Sequence, residues 1–431
     1  MSAVFLLVVA ALLAVCAIGM PVGFAMLAVG IGYLFLTGQD VGLAAERMLN
    51  RFFDGFVLLA VPLFIFAANV MNAGTITDRL LRFCNALVGR FRGGLAQVDI
   101  LVSVIFSGMS GSAIADAAGT GRVSIEMMVS RGHYTPGFAA AVVAASATIG
   151  PIIPPSIPMV LYALVSGSSV GYLFLGGVLP GLLMALCMMA VTAGIARRRG
   201  CPVEPAVPAA ELPRVVGRAF PALLMPVILL GGIYGGATTP TEAASGAAAD
   251  AVLLAAGLYR ALSLRGFVDI LVESTRATGV VAMIIAGAFV LNYVVATERV
   301  GESLAQAMQG LDIAPVAFLL LVNVLFLALG CFLDATTMLM VFVPLLLPTL
   351  RALEVDLVHF GVVIVVNMMI GLITPPYGVL LFVINGLTGI PLRDMIRELW
   401  PFLLVLIAAL VAMVLLPELV LWIPRLFGYK G

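Results

Sequence analysis

Apolar residues fill this chain in long blocks rather than in stripes. Windows at about 3–19, 22–37 and 55–72 come first, with Met20-Pro21 as a tight join and 38–53 as a polar connection. About 20 apolar residues cross a bilayer as one helix, so each window predicts a membrane helix. The pattern then becomes mixed up to Gly94, where Arg79, Arg82, Arg90 and Arg92 put this stretch on the cytoplasmic side by the positive-inside rule. The next limb, 95–107, is about 13 residues long and reaches roughly 20 Å, short of the ~30 Å hydrocarbon core. It cannot cross alone. A re-entrant helical hairpin is expected, with its tip at 108–113, a return limb to about 129, and Arg131 and His133 back on the inner face. Backbone that is not helical at that depth must be buried in protein or line a cavity.

The window at about 137–165 is interrupted by Gly150-Pro151 and Pro154-Pro155, so two half-helices are predicted. A span at about 171–195 ends at Arg197, Arg198 and Arg199, and the Pro-rich segment 201–213 links the halves. Spans at about 219–236 and 243–259 follow, joined where Thr239, Pro240 and Glu242 form a capping box. Arg260 and Arg265 return the chain inside, a span runs over about 276–296, and the outer segment 297–312 carries Glu298, Arg299 and Glu302. Then the pattern recurs. A short limb at about 315–329 meets Gly330-Cys331-Phe332-Leu333-Asp334-Ala335-Thr336-Thr337, a return limb reaches Pro348, and a broken span at about 358–386 holds Gly371 and Pro375-Pro376. A last span at about 400–422 completes ten to twelve, with both termini outside.

Both breaks read IGxIxPP, and Gly150 and Gly371 lie 221 residues apart. On this topology the first hairpin enters from inside and the second from outside. Inverted repeats with broken helices near the midplane are the signature of a secondary transporter.

Composition agrees. The 431 residues are 63% hydrophobic and 10% charged, with a mean hydropathy of +1.20, against about 25% charged in soluble domains. Net charge is zero and the basic residues come in short runs, so no face suggests nucleic acid. Five cysteines without CxxC spacing and two histidines argue against metal clusters and disulfides. The apolar start at 3–18 lacks a basic region before it and reads as a first span, not a signal peptide.

Half-helix ends near the midplane offer N–H groups to anions and C=O groups to cations. One cation is expected between the tip at Ser107, Ser110 and Ser112 and the break at Gly150 and Pro154. A second is expected between Gly330, Asp334, Thr336 and Thr337 and the break at Ile373, Thr374 and Pro376. Small residues also serve close helix packing in membranes, and that reading stands beside the first. Asp116 and Asp334 each follow a tip, where an ionised carboxylate costs about 2.5–3.5 kcal/mol and needs a partner; the partner is a cation or local N–H groups. Asp99 and Asp250 lie away from the breaks and read as structural or interfacial. Arg299 suits a substrate carboxylate, or else an ion pair with Glu298 or Glu302. Gly108-Met109-Ser110-Gly111 also fits the GxSG of rhomboid-type intramembrane serine proteases, but a nucleophile needs a base, and neither His133 nor His359 is suitably placed.

Five stretches, FSGMSGSAIADAAGTG at 106–121, IGPIIPPSIPMVLY at 149–162, GIYGGATTPTEAA at 232–244, LGCFLDATTM at 329–338 and IGLITPPYGVLLF at 370–382, occur in an order that resembles the large, DctM-type membrane subunit of tripartite ATP-independent periplasmic (TRAP) transporters. The resemblance implies an all-α integral membrane protein of the bacterial inner membrane, with two re-entrant hairpins and two broken helices working as an elevator. It implies Na⁺-coupled uptake of a small organic acid such as a C4-dicarboxylate, a keto acid or sialic acid, with no other cofactor. It implies two partners, a small four-span membrane subunit and a periplasmic solute-binding protein. Ser110, Ser112, Ser156 and Arg299 are the substrate positions it suggests, and Asp116 and Asp334 join the ion positions. Scaffold segments are expected at 1–78, 171–275 and 391–431, and transport segments at 79–170 and 276–390. A stand-alone, INDY-like ion-coupled carboxylate transporter is the alternative.

Overall fold

Small polar side chains start the apolar helices. The hydroxyls of Thr135, Ser156 and Ser263 and the carboxylates of Asp334 and Asp356 each accept an N–H of the first helical turn, which satisfies donors the helix itself leaves unpaired. The computed structural model describes residues 2–72, 76–130, 132, 134–201, 203–205, 207–208, 210–310 and 313–431. Arg131, His133 and Asp312 lie outside the described residues. Helices make up the fold, and no strand occurs among the described residues. The capping box expected at Thr239 and Glu242 is present, with the Thr239 N–H donating to the Glu242 carboxylate at 2.7 Å.

Among the described residues, five helices are long and apolar enough to cross a membrane: Val170–Arg199, Leu212–Tyr234, Leu264–Thr297, Ala335–Ala352 and Leu392–Leu415. A sixth span is possible as the pair Gly42–Asp54 and Phe56–Asn72, bent by 74° at Gly55. This is fewer unbroken spans than the ten to twelve apolar windows suggest. The first two windows form Ala3–Ala17 and Val22–Leu36, stopped by Gly19 in the left-handed region and by Pro21. Fifteen residues each give about 22 Å. The window at 243–259 is Pro240–Val252 continued by a π-helical stretch, Leu253–Leu258.

The repeat extends well beyond the motifs. Helix starts at Gly94 and Pro315, and at Pro136 and Leu357, lie 221 residues apart; those at Ile157 and Val379, and at Val170 and Leu392, lie 222 apart.

Two packing groups result. Val22–Leu36 and Leu264–Thr297 cross where Gly23 and Gly287 admit each other's backbone, a Cβ on Gly287 falling 2.4 Å from the Gly23 carbonyl oxygen. Ala60–Asn72 and Pro240–Val252 complete that group. In the other group Gly94–Ser110 lies on Pro136–Ala147, Pro315–Gly330 lies on Leu357–Gly371, and Leu392–Leu415 lies along Pro136–Ala147. Two of the expected segments meet these groups as follows. The one at 275/276 falls inside the continuous helix Leu264–Thr297, and Val170–Arg199 packs against Gly94–Ser110, Leu357–Gly371 and Leu392–Leu415, its Gly177 close to Ile152 of the first break.

Candidate functional site: two helix tips on two proline breaks

The limb Gly94–Ser110 is 17 residues long, four more than its apolar stretch suggests, and still short of a bilayer at about 25 Å. Gly111 ends it with φ +62, and Ser112 caps the next helix by accepting the Ala115 N–H at 3.3 Å. The chain then turns back, because Arg122–Ser130 packs against Gly94–Ser110. Pro136–Ala147 and Ile157–Ser166 flank the first break. There Ser156 caps the second half, its hydroxyl accepting the Met159 N–H at 3.3 Å and donating to the Pro151 carbonyl.

Tip and break touch. A Cβ on Gly111 would stand 2.4 Å from the Pro155 carbonyl oxygen, and one on Gly150 would stand 3.3 Å from the Ser112 carbonyl oxygen. The backbones at Gly111 and Ser112 thereby meet those at Pro155 and Gly150, and around them Ser110, Gly150, Pro154 and Ser156 are buried and Ser112 is half-buried. Ser107 lies one turn down the limb, its hydroxyl donating to the Val104 carbonyl.

The second repeat does the same with different residues. Rings of Phe326 and Phe342 meet with centroids 6.0 Å apart, so the chain reverses between Pro315–Gly330 and Ala335–Ala352. Gly330 and Gly371 face each other, a Cβ on Gly371 lying 2.9 Å from the Gly330 Cα. The Cys331 thiol reaches the Pro375 carbonyl at 3.7 Å, and the Phe332 and Tyr377 rings are 5.2 Å apart. Across this break the Leu380 N–H donates to the Leu372 carbonyl, and the Thr374 hydroxyl donates to Ile370 at 2.8 Å. Ile373 is buried, Thr336 half-buried and Pro376 exposed. The first contact is buried on the side of its break and half-buried at Ser112, whereas the second opens to the surface at Phe332, Pro376 and Tyr377.

The repeats also pack reciprocally. Ile157–Ser166 lies against Ala335–Ala352 of the second hairpin, while Val379–Thr388 lies against the return limb of the first, between 113 and 130. Each broken helix thus ends on the other repeat's hairpin.

The two tip carboxylates differ. Asp334 is the helix cap: Oδ1 accepts the Thr337 N–H at 3.1 Å and Oδ2 accepts the Thr337 hydroxyl. Asp116 is buried, its Oδ1 accepts the Thr120 hydroxyl, and its Oδ2 has no hydrogen-bond partner. A π-helical stretch, Ala117–Gly121, begins directly after it; such turns recur at functional sites. Arg299 sits apart from both contacts, exposed, at φ 51, in the turn between Leu264–Thr297 and Val300–Gly310. It forms no ion pair with Glu298 or Glu302. The Glu298 carboxylate instead accepts from the Ser2 hydroxyl, the Ser2 N–H and the Tyr33 hydroxyl.

Four polar contacts escape sequence reasoning. Ser146 donates to Asp99 at 2.8 Å, and the Asn367 amide donates to the Asn323 side-chain oxygen at 2.8 Å; each ties a hairpin limb to its broken helix. The Asn72 amide donates to the Ala115 carbonyl and that of Asn292 to Met340, both at 3.2 Å, and both leave a buried Oδ1 without a partner. A single polar residue in an apolar run was the available signal, but it names no partner.

A family model described as the tripartite ATP-independent periplasmic transporter, DctM component, matches residues 9–419. The chain belongs to the DctM family. It is 41% identical to the sialic acid TRAP transporter large permease protein SiaM of Vibrio cholerae, over 95% of this chain and 96% of that one. Identity to the C4-dicarboxylate TRAP transporter large permease protein DctM of Pseudomonas aeruginosa is 40%, over 87% and 88% of the two chains. Among solved structures, the YdaH transporter of Alcanivorax borkumensis superposes with a TM-score of 0.61 at 15% identity, covering 88% of this chain and 87% of that one, a likeness of fold. This DctM-family chain is a multi-pass membrane protein and a large permease component, as its relatives are. His359, the histidine within the described residues, has its Nε2 2.9 Å from the Met413 carbonyl.

Proposed function

We propose that this protein is the Na⁺-coupled large permease of a TRAP transporter for a small organic acid of the sialic acid or C4-dicarboxylate type. The observation that carries the reading is the duplicated contact of hairpin tip and proline break, with carbonyl oxygens at each. Unwound backbone and half-helix ends of this kind bind Na⁺ and carboxylates in transporters built on inverted repeats. Both hairpins are re-entrant in this account, because limbs of about 25 Å stop inside the hydrocarbon core.

One Na⁺ binds at the meeting of tip and break beside Gly111 and Gly150, drawing on the Ser112 and Pro155 carbonyls, and the unpartnered Asp116 Oδ2 contributes negative charge one turn away. A second binds between Gly330, Asp334 and the Ile373, Thr374 and Pro376 backbone. Each ion draws tip and break together. The substrate carboxylate then lies between the two contacts, within reach of Ser110, Ser112 and Ser156, and Arg299 attracts it on its way in. Hairpins and broken helices move as one body against the group formed by Val22–Leu36, Ala60–Asn72, Pro240–Val252 and Leu264–Thr297. The Asn72 and Asn292 contacts cross that boundary, and amides with spare oxygens suit an interface that re-forms in a second position.

A small membrane subunit and a periplasmic binding protein complete the system in the bacterial inner membrane, with both termini of this chain periplasmic. The test is uptake of radiolabelled sialic acid and succinate into proteoliposomes, with and without each partner, under an inward Na⁺ or K⁺ gradient. Uptake that is equal in K⁺ removes the Na⁺ coupling; uptake without the binding protein removes the tripartite reading.

A further inference from the structure

Helix Ile76–Val88 is amphipathic. Ile76, Leu80, Leu81, Cys84 and Val88 are buried, while Asp78, Arg79 and Arg82 lie on its other side. Across from them the start of Leu212–Tyr234 supplies Arg214 and Arg218, with Glu211 just before it. These six side chains line a cavity of about 600 Å³. Among the described residues no carboxylate lies within ion-pair distance of any of the four guanidinium groups. Arg79 is held in place, its guanidinium 3.9 Å over the Tyr259 ring, and the Tyr259 hydroxyl donates to the Arg218 carbonyl at 3.2 Å. The wall is therefore braced from both helices without neutralising its charge.

Four guanidinium groups facing two carboxylates leave a cationic cavity, and the planar fork of arginine matches phosphate oxygens. Charge alone does not choose between a free anion and a lipid. The surface beside the cavity does. Leu212, Val216 and Phe220, on the same helix as Arg214 and Arg218, are exposed, and Val227 and Ile228 continue the apolar exposure deeper along it. An amphipathic helix with basic residues on its polar side lies at headgroup depth, and basic pockets beside membrane helices take anionic headgroups.

We propose that this cavity binds the headgroup phosphate of an anionic phospholipid, with an acyl chain along the Val216, Phe220 and Val227 surface. The general excess of arginine on one side of a membrane protein sets orientation, but it does not require unpaired arginines of two helices to converge on one cavity.

The test uses the purified full-length chain in detergent micelles doped with phosphatidylglycerol or phosphatidylcholine, reading retained lipid by native mass spectrometry and the lipid-dependent rise in Tm. Phosphatidylglycerol should be retained in preference to phosphatidylcholine. Arg214→Gln and Arg218→Gln should each weaken its retention about fivefold, and the pair about 25-fold, from roughly one arginine's contribution at an anionic surface. Arg425→Gln, outside the cavity, should change nothing. If the double variant does not purify, Arg82→Gln on the facing helix carries the same fivefold expectation. Equal retention of the two lipids, or wild-type retention in the arginine variants, overturns the proposal. So does protection by inorganic phosphate alone equal to that by phosphatidylglycerol, since the site would then take a free anion.

Discussion

Substituting Gly111 with alanine tests the contact on which the first tip depends. Two costs follow from its position. Its φ of +62 charges an L-residue about 1–2 kcal/mol, and the new Cβ would stand 2.4 Å from the Pro155 carbonyl oxygen, so backbone must shift by more than half an ångström to reach an ordinary contact. Overpacking of that kind costs about 1–3 kcal/mol. Gly167 separates the two terms, because it has φ +76 and open space where its Cβ would go. Unfolding free energies in mixed detergent micelles should show Gly111→Ala less stable than Gly167→Ala by about 1–3 kcal/mol, roughly 5- to 150-fold in the equilibrium constant. Uptake should fall further in Gly111→Ala than in Gly167→Ala. If the two variants lose the same stability, the Gly111 and Pro155 backbones are not in contact and the first site dissolves.

Asp116→Asn should lower Na⁺-driven uptake by about tenfold or more, equivalent to roughly 1.4 kcal/mol of ion binding, and a variant with full Na⁺ dependence removes Asp116 from the site. Ser146→Ala leaves the buried Asp99 carboxylate short of a donor and should cost about 1–3 kcal/mol; combined with Asp99→Asn the loss should be less than additive, as measured by a double-mutant cycle. The hydroxyl and N–H of Ser2, with the Tyr33 hydroxyl, hold Glu298 below its ordinary carboxylate range. This group therefore contributes stability at neutral pH that is lost as pH falls through its lowered folded value. Thermal unfolding from pH 7 to pH 3 should show Glu298→Gln destabilising at neutral pH and converging on the parent protein in acid; a constant gap would refute the linkage.

Much of the architecture was legible because chemistry punctuates it. Prolines at 151, 154 and 155 and at 375 and 376 remove backbone donors, so half-helices had to flank both breaks, and they do. Glycine and serine at 107–112 marked the first tip for a different reason, since Gly111 takes the left-handed turn and Ser112 caps the helix after it. The second tip was harder to interpret, since Asp334 reads as an ion position in sequence and the structure makes it a helix cap as well, each oxygen accepting one hydrogen bond from Thr337 and keeping acceptor capacity to spare. Hydropathy separated Ala3–Ala17 from Val22–Leu36 at the Met20-Pro21 join, but it could not show that Gly42–Asp54 would pair with Phe56–Asn72 across a 74° bend, because an apolar window has no mark for a bend. Nor could it show the reciprocal packing of Ile157–Ser166 and Val379–Thr388 on opposite hairpins. Contacts between segments that are apolar on every side carry no periodic signal, and the Asn72, Asn292, Asn323 and Asn367 bonds became visible only once their partners were in place.

Cys331 offers the most direct measurement of the central claim, that Na⁺ holds tip and break together, because its thiol already spans the second contact to Pro375. Maleimide modification of Cys331 in the purified protein, followed by peptide mass spectrometry, should be slower in Na⁺ than in K⁺ at equal ionic strength, and Asp334→Ala should erase the difference. Equal rates in the two salts would contradict an ion at that contact.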